Sequence, residues 1–106
     1  MLNKFLAEFI GTFIFLGVII VTVDGVSLTI ADKSQAWIRI GLALGVAILF
    51  MGKISGGHFN PAVSFMFFLN NELKTNELFV YIVAQLLGAV LAMITYKYLY
   101  VVSNKK

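Results

Sequence analysis

The residues with the most to say about chemistry lie at the centre of the chain. They are the run Gly56-Gly57-His58-Phe59 followed by Asn60-Pro61-Ala62. Asn is a favoured N-cap, and Pro suits the first helical position because its missing N–H would be unpaired there anyway. Two glycines just before them permit an extended or left-handed backbone. The pattern predicts an extended strand entering the N-terminus of a short helix. The carbonyls of Gly56, Gly57, His58 and Phe59 would then stand in a row as acceptors. The Asn60 amide offers donors, and the helix N-terminus adds a partial positive charge. Acceptors along a path, with a donor and positive potential at its middle, pass water while disfavouring cations. That is transport by hydrogen-bond replacement, with no bond broken. A plain capping role for Asn-Pro-Ala is the competing reading.

Other chemistries find little support. There are no cysteines, which excludes disulfides, thiolate metal sites and a Cys nucleophile. The single histidine, His58, has no Cys or second His near it in sequence to complete a metal shell. No Ser–His–Asp set or carboxylate pair stands at a useful spacing, so an enzyme is not expected, and neither is a metal or other cofactor. The net charge of +3 comes from scattered lysines and Arg39, without the basic run that nucleic acid requires. Lys105 and Lys106 read as a solvated tail.

The elements that must position these residues are membrane elements. Of 106 residues, 60% are apolar and 12% charged, against about 25% charged in soluble domains. The mean hydropathy is +0.96. A small soluble fold leaves too much of its surface exposed to hide this much apolar side chain, so lipid is the expected solvent. A helix needs about 20 apolar residues to cross the hydrocarbon layer. Phe5–Val23 meets that length, with Glu8 inside it, and is longer than a signal-peptide core, so a retained membrane helix is expected. Asp24 and Gly25 end it, Val26–Gln35 is a short polar connection, and Trp37 stands as an interfacial aromatic. A second span is expected over Ala36–Met51, where Gly41 and Gly45 form a G-x-x-x-G pair open to a neighbouring helix. The third is Leu78–Tyr100, with Lys97 and its flanking tyrosines at the membrane boundary. Between them, Gly52–Leu69 is apolar at its end but too short to cross, which predicts a re-entrant loop and half-helix over residues 52–69, closed by a surface turn at Asn70–Glu77. Irregular backbone survives at that depth only where protein buries it or a wet cavity solvates it. The expected fold is therefore an all-α membrane protein of three transmembrane helices plus one re-entrant half-helix, in a single unit over residues 1–106.

The segment Ser55-Gly56-Gly57-His58-Phe59-Asn60-Pro61-Ala62-Val63 resembles the first Asn-Pro-Ala loop of the aquaporin, or major intrinsic protein, family. Ala7-Glu8-Phe9 with Gly11-Thr12 is similar to the family's first helix, Gly41-Leu42-Ala43-Leu44-Gly45 to its second, and Tyr81, Ala84-Gln85 and Gly88-Ala89 to its third. The resemblance implies a channel for water or small neutral, glycerol-like solutes, in the plasma membrane, as a higher oligomer. It implies Asn60 as the donor at the pore midpoint, with Pro61 and Ala62 fixing the half-helix and His58 lining the path beside Gly56, Gly57 and Phe59. Glu8 and Gln85 match positions that hold the loop backbone from within the membrane. A lone carboxylate four residues into a span is indeed expensive unless it is paired. For Glu8 the alternative is an interfacial position beside Lys4, and for Gln85 a helix–helix hydrogen bond without functional meaning. Ile40 falls where many water-selective members carry an aromatic, and Val63 follows Ala62 where the family's second motif is followed by an arginine. Arg39 matches no filter position.

The family builds its pore from two inverted repeats, and this chain carries one. Two completions follow: an antiparallel copy of the same chain, or a second repeat supplied by a missing continuation or separate chain. With the family's orientation, Lys4, Lys53 and Lys74 face the cytoplasm while Lys33, Arg39, Lys97, Lys105 and Lys106 face outward, so no positive-inside bias fixes one orientation. A membrane subunit that docks a partner helix and conducts nothing is the alternative from another class.

Overall fold

The protein is described by a computed structural model covering residues 1–24 and 35–101, with the side chains of Tyr100 and Val101 not described. Most of the expected connection, with Lys33, and the tail lysines Lys105 and Lys106 lie outside the described residues.

Helix α1 runs Leu2–Asp24, α2 Ala36–Ser55, α3 Pro61–Leu69 and α4 Thr75–Thr95, and the chain continues as a π-helical turn over Tyr96–Val101. No strand occurs among the described residues. Leu2–Asp24, Ala36–Ser55 and Thr75–Leu99 are each long and apolar enough to cross a membrane. At 1.5 Å per residue the 23 residues of α1 rise about 34 Å, enough for the hydrocarbon layer, whereas the nine of α3 rise about 13 Å and do not cross. The chain is thus an all-α membrane protein with three spans, and α3 is the short fourth helix that the sequence predicts.

Several boundaries differ from the sequence-based expectation: α1 begins at Leu2 rather than Phe5, and α4 begins at Thr75, inside the expected surface turn Asn70–Glu77. Helix α2 does not end at Met51 but continues through Gly52 and Lys53 to Ser55. Its stop is Gly56, at φ +93°, whose N–H returns to the Gly52 carbonyl at 2.9 Å. A left-handed C-cap of this kind favours Gly because no Cβ opposes it. The re-entrant loop therefore begins at Gly56 rather than Gly52. Nor is that loop a continuous extended strand: Gly57 and Phe59 both take positive φ, while Asn60, at φ −160° and ψ 124°, is extended.

Helix α1 packs between α2 and α4. The close approaches are not where the G-x-x-x-G pair predicts. A Cβ on Gly41 or Gly45 would meet nothing within 4 Å, and both glycines lie on the exposed side of α2. Instead, Gly88 of α4 presses on α1, where an added Cβ would come within 2.8 Å of the Phe9 carbonyl and 3.0 Å of Thr12 Cβ. Gly11 of α1 receives the Phe59 ring. Outward-facing leucines, isoleucines and valines on the three spans, with Phe50 and Phe79 on α2 and α4, suit contact with acyl chains.

Candidate functional site

The loop between α2 and α3 is held from the inside by one carboxylate. Glu8, fully buried one-third of the way along α1, accepts four hydrogen bonds. Oε2 accepts from Ser55 Oγ at 2.6 Å and from the His58 backbone N–H at 3.0 Å. Oε1 accepts from the Phe59 backbone N–H at 2.8 Å and from Gln85 Nε2 at 2.9 Å. A buried charge is tolerated when every lone pair is engaged, and charge-assisted bonds of this kind are about twice as strong as neutral ones. They also bear on the backbone. A left-handed φ of +55° at Phe59 costs an ordinary residue about 1–2 kcal/mol, and two successive N–H bonds to one carboxylate offset that cost.

Lys4 does not serve Glu8. Its Nζ bonds Glu77 Oε2 at 3.0 Å, tying the first turn of α1 to that of α4, so the interfacial Lys4–Glu8 pair is not what forms. Glu77 also accepts the Lys74 backbone N–H at 3.0 Å, which caps the start of α4.

Gln85 spends both hydrogens of its amide nitrogen inside the core, one on Glu8 and the other on Ser64 Oγ at 2.8 Å. Its Oε1 is buried without a hydrogen-bond partner, as is Thr12 Oγ1. Ser64, on the inner face of α3, is fully buried and stands 2.9 Å from His58 Nδ1. The His58 ring lies on Phe67, with centroids 4.7 Å apart and planes 15° from parallel, and meets Tyr81 at 4.9 Å. His58 sits in the loop outside the three spans, and burial pushes its imidazole below the ordinary value, against the opposing pull of Glu8 and Glu72. Tyr81 anchors the end of α2 by donating to the Ser55 carbonyl at 2.5 Å. A cavity of about 310 Å³ opens here, lined by Lys4, Ser55, Gly56, His58, Glu72 and Tyr81 among others.

Asn60 uses one end of its amide locally. Oδ1 accepts the Ala62 N–H at 2.8 Å, the capping bond expected of Asn before Pro. Nδ2 belongs to an exposed residue and has no hydrogen-bond partner among the described residues. Pro61 and Ala62 are exposed beside it, and Val63 is half-buried. So Asn60 caps the helix and still has two free donors, which means the capping reading and the donor reading do not compete.

Glu8, Gln85, His58, Gly56, Gly57, Phe59 and Asn60 therefore come together in and around one loop. Phe59 contributes backbone only, because its ring is buried against Gly11. Ile40 does not join them. It is half-buried on α2, about 22 Å of helix rise from Ser55. Sequence reasoning missed Ser55 and Ser64, and it placed Tyr81 without a role. Small hydroxyls in apolar helices carry little signal by themselves.

A sequence model of the family described as Major intrinsic protein matches residues 1–106. The chain is 39% identical over 93 residues to the glycerol uptake facilitator protein-like 6 of Lactiplantibacillus plantarum, a match covering 86% of this chain and 41% of that protein. It is 42% identical over 91 residues to aquaporin PIP1-1 of Oryza sativa subsp. japonica, covering 80% of this chain and 31% of the other. With aquaporin NIP3-1 of Arabidopsis thaliana it shares 40% over 95 residues, 85% of this chain and 28% of the relative. The chain thus spans well under half the length of these relatives.

Proposed function

The chain belongs to the major intrinsic protein family, and from that premise we propose that it is one half of a membrane channel passing water or small neutral solutes by passive, non-enzymatic transport. Relatives on both sides of that choice bear names that fit it, a glycerol uptake facilitator and aquaporins. In this reading Asn60 Nδ2 is the donor that a passing solute meets, Pro61 and Ala62 fix it at the N-terminus of α3, and carbonyls of Gly56, Gly57, His58 and Phe59 carry the solute toward it. Glu8 and Gln85 hold the loop. Val63 and Ile40 flank the path, and Ile40 in place of an aromatic favours no particular solute.

The single observation that carries the reading is the exposure of Asn60, Pro61 and Ala62 beside irregular backbone at the middle of a membrane chain. Free amide donors and a helix N-terminus do not face hydrocarbon, since each unsatisfied polar group there costs several kcal/mol. Protein or a wet cavity must stand opposite them. A second half-repeat supplies that wall, as an antiparallel copy of this chain or as a separate or continuing segment, in the plasma membrane and within a higher oligomer.

Flux in liposomes tests this. The chain, alone or with its complementary half, should speed osmotic shrinkage above that of empty vesicles, and Asn60→Asp should reduce or alter that flux. Folded protein that conducts nothing in either combination would contradict it. The exposed Gly41–Gly45 face of α2 favours the second reading, a non-conducting subunit that docks a partner helix; there Gly41→Leu would abolish assembly, while the native chain and Asn60→Asp alike stay at the flux of empty vesicles.

A further inference from the structure

We infer that Ser64 sets the tautomer of His58, so that the imidazole carries its proton on Nε2 and presents a hydrogen-bond donor, never an acceptor, to the cavity. The reasoning is a count of hydrogens and lone pairs. Gln85 Nε2 lies between Glu8 Oε1 at 2.9 Å and Ser64 Oγ at 2.8 Å. A carboxylate only accepts, so the nitrogen end of the amide must face it, and the same nitrogen necessarily donates to Ser64. Turning the amide over would set Oε1 against the Glu8 carboxylate.

Ser64 Oγ therefore receives a hydrogen from Gln85 and still has one of its own to give. It is fully buried, and its remaining hydrogen-bond neighbour among the described residues is His58 Nδ1 at 2.9 Å. Were Nδ1 protonated, two donors would converge on Ser64 and its own hydrogen would be left buried without an acceptor. An orphaned buried hydroxyl is costly, and the arrangement with Nδ1 unprotonated gives every donor in the chain from Gln85 Nε2 through Ser64 Oγ to His58 Nδ1 an acceptor. A neutral imidazole with a bare Nδ1 holds its hydrogen on Nε2.

Nε2 has no hydrogen-bond partner among the described residues, while His58 lines the cavity of about 310 Å³. The ring cannot turn freely to offer the other nitrogen, because Phe67 stacks on it and Tyr81 abuts it. Resting on the proposed channel, the consequence is a preference in chemical class. At this position the path engages solutes through an acceptor oxygen, such as that of water or an alcohol, and gives no acceptor to a cationic one. Ser64 is in these terms a positioning residue, acting through His58.

The chain has one histidine, so nitrogen-15 NMR of its imidazole in lipid bilayers reads the tautomer without ambiguity. At neutral pH the native chain should show a protonated Nε2 and a bare, hydrogen-bonded Nδ1. Ser64→Ala should remove the hydrogen-bond shift at Nδ1 and admit the second tautomer, whereas Ser64→Thr should keep the native pattern. A proton on Nδ1 in the native chain overturns the inference, and that spectrum decides even if Ser64→Ala fails to fold. An unchanged Nδ1 resonance in folded Ser64→Ala overturns it equally. None of these readings depends on conduction, so the tautomer can stand where the channel falls. Liposome flux then tests the consequence: Ser64→Ala should lower water flux several-fold and Ser64→Thr restore it, and native flux through a chain of altered tautomer would refute the role in the path.

Discussion

Lys4 reaches across the fold to Glu77, 3.0 Å away, and leaves Glu8, one turn further along its own helix, with no cation. The two glutamates consequently do different things. Glu77 ties helix starts together at the rim, where Lys4 is still 42% exposed. The Glu8 carboxyl oxygens are engaged by neutral hydrogen-bond donors alone, and their geometry is what shapes the loop.

Because the Lys4–Glu77 pair is partly exposed, its loss should be mild. Exposed ion pairs are worth about 0–1 kcal/mol. Lys4→Ala should lower thermal stability in detergent by no more than that, and raising salt should shrink the difference further. A loss of several kcal/mol would mean that the pair is shielded more fully than its exposure indicates.

Glu8→Gln should be far more damaging although it preserves shape. Whichever way the new amide turns, its nitrogen faces two donors: Ser55 Oγ and the His58 N–H on one side, or the Phe59 N–H and Gln85 Nε2 on the other. Ser55 and Gln85 can reverse their roles, but the backbone N–H of His58 or Phe59 cannot, and one such donor left without an acceptor costs about 1–3 kcal/mol. Thermal unfolding in detergent should show this drop, along with loss of flux. A variant as stable as the native chain would show that the loop does not hang on Glu8.

Gly11→Ala tests the seat of Phe59. The added Cβ would run into Phe59 Cε1, closer than any real contact allows, and the ring, 2% exposed, has little room to retreat. Overpacking of this kind costs about 1–3 kcal/mol. Gly41→Ala is the matched control, since open space surrounds that position, and the folding of the single chain should not notice it. Equal stability of the two variants would contradict the packing described.

Tyr81→Phe should cost about 1–2 kcal/mol by freeing the Ser55 carbonyl at the end of α2, without touching the His58–Ser64 contact. Its thermal midpoint should fall while the nitrogen-15 signature of His58 stays native. A change of tautomer in this variant would instead place Tyr81 in the same proton-ordering chain as Ser64.

Much of this arrangement is legible in the amino-acid sequence. Apolar runs of spanning length place the helices, and Asn60-Pro61 marks the start of α3 to the residue, because capping and Pro geometry are local. Glu8 is conspicuous because a carboxylate within a span demands partners, and its resemblance to a loop-holding position points to the right ones. What stays hidden is tertiary. Gly52 and Lys53 look like a helix end, yet the stop falls four residues on, where Gly56 can adopt positive φ. The Gly41–Gly45 pair suggests a packed face, yet Gly11 and Gly88 are the glycines in contact, since spacing says that a helix can approach and not that one does. Ser64 and Ser55 are unremarkable in sequence and acquire meaning only when α1 and α4 bring Glu8 and Gln85 against them.

The most direct test of the central claim is stopped-flow osmotic shrinkage of liposomes holding the native chain with its complementary half or antiparallel copy, compared with Asn60→Asp. The account predicts water flux well above that of empty vesicles, reduced or altered when the free amide donors at position 60 are replaced by a carboxylate. Flux from folded Asn60→Asp indistinguishable from native, or none from either protein, would contradict the assignment of Asn60 as the donor of a conducting path.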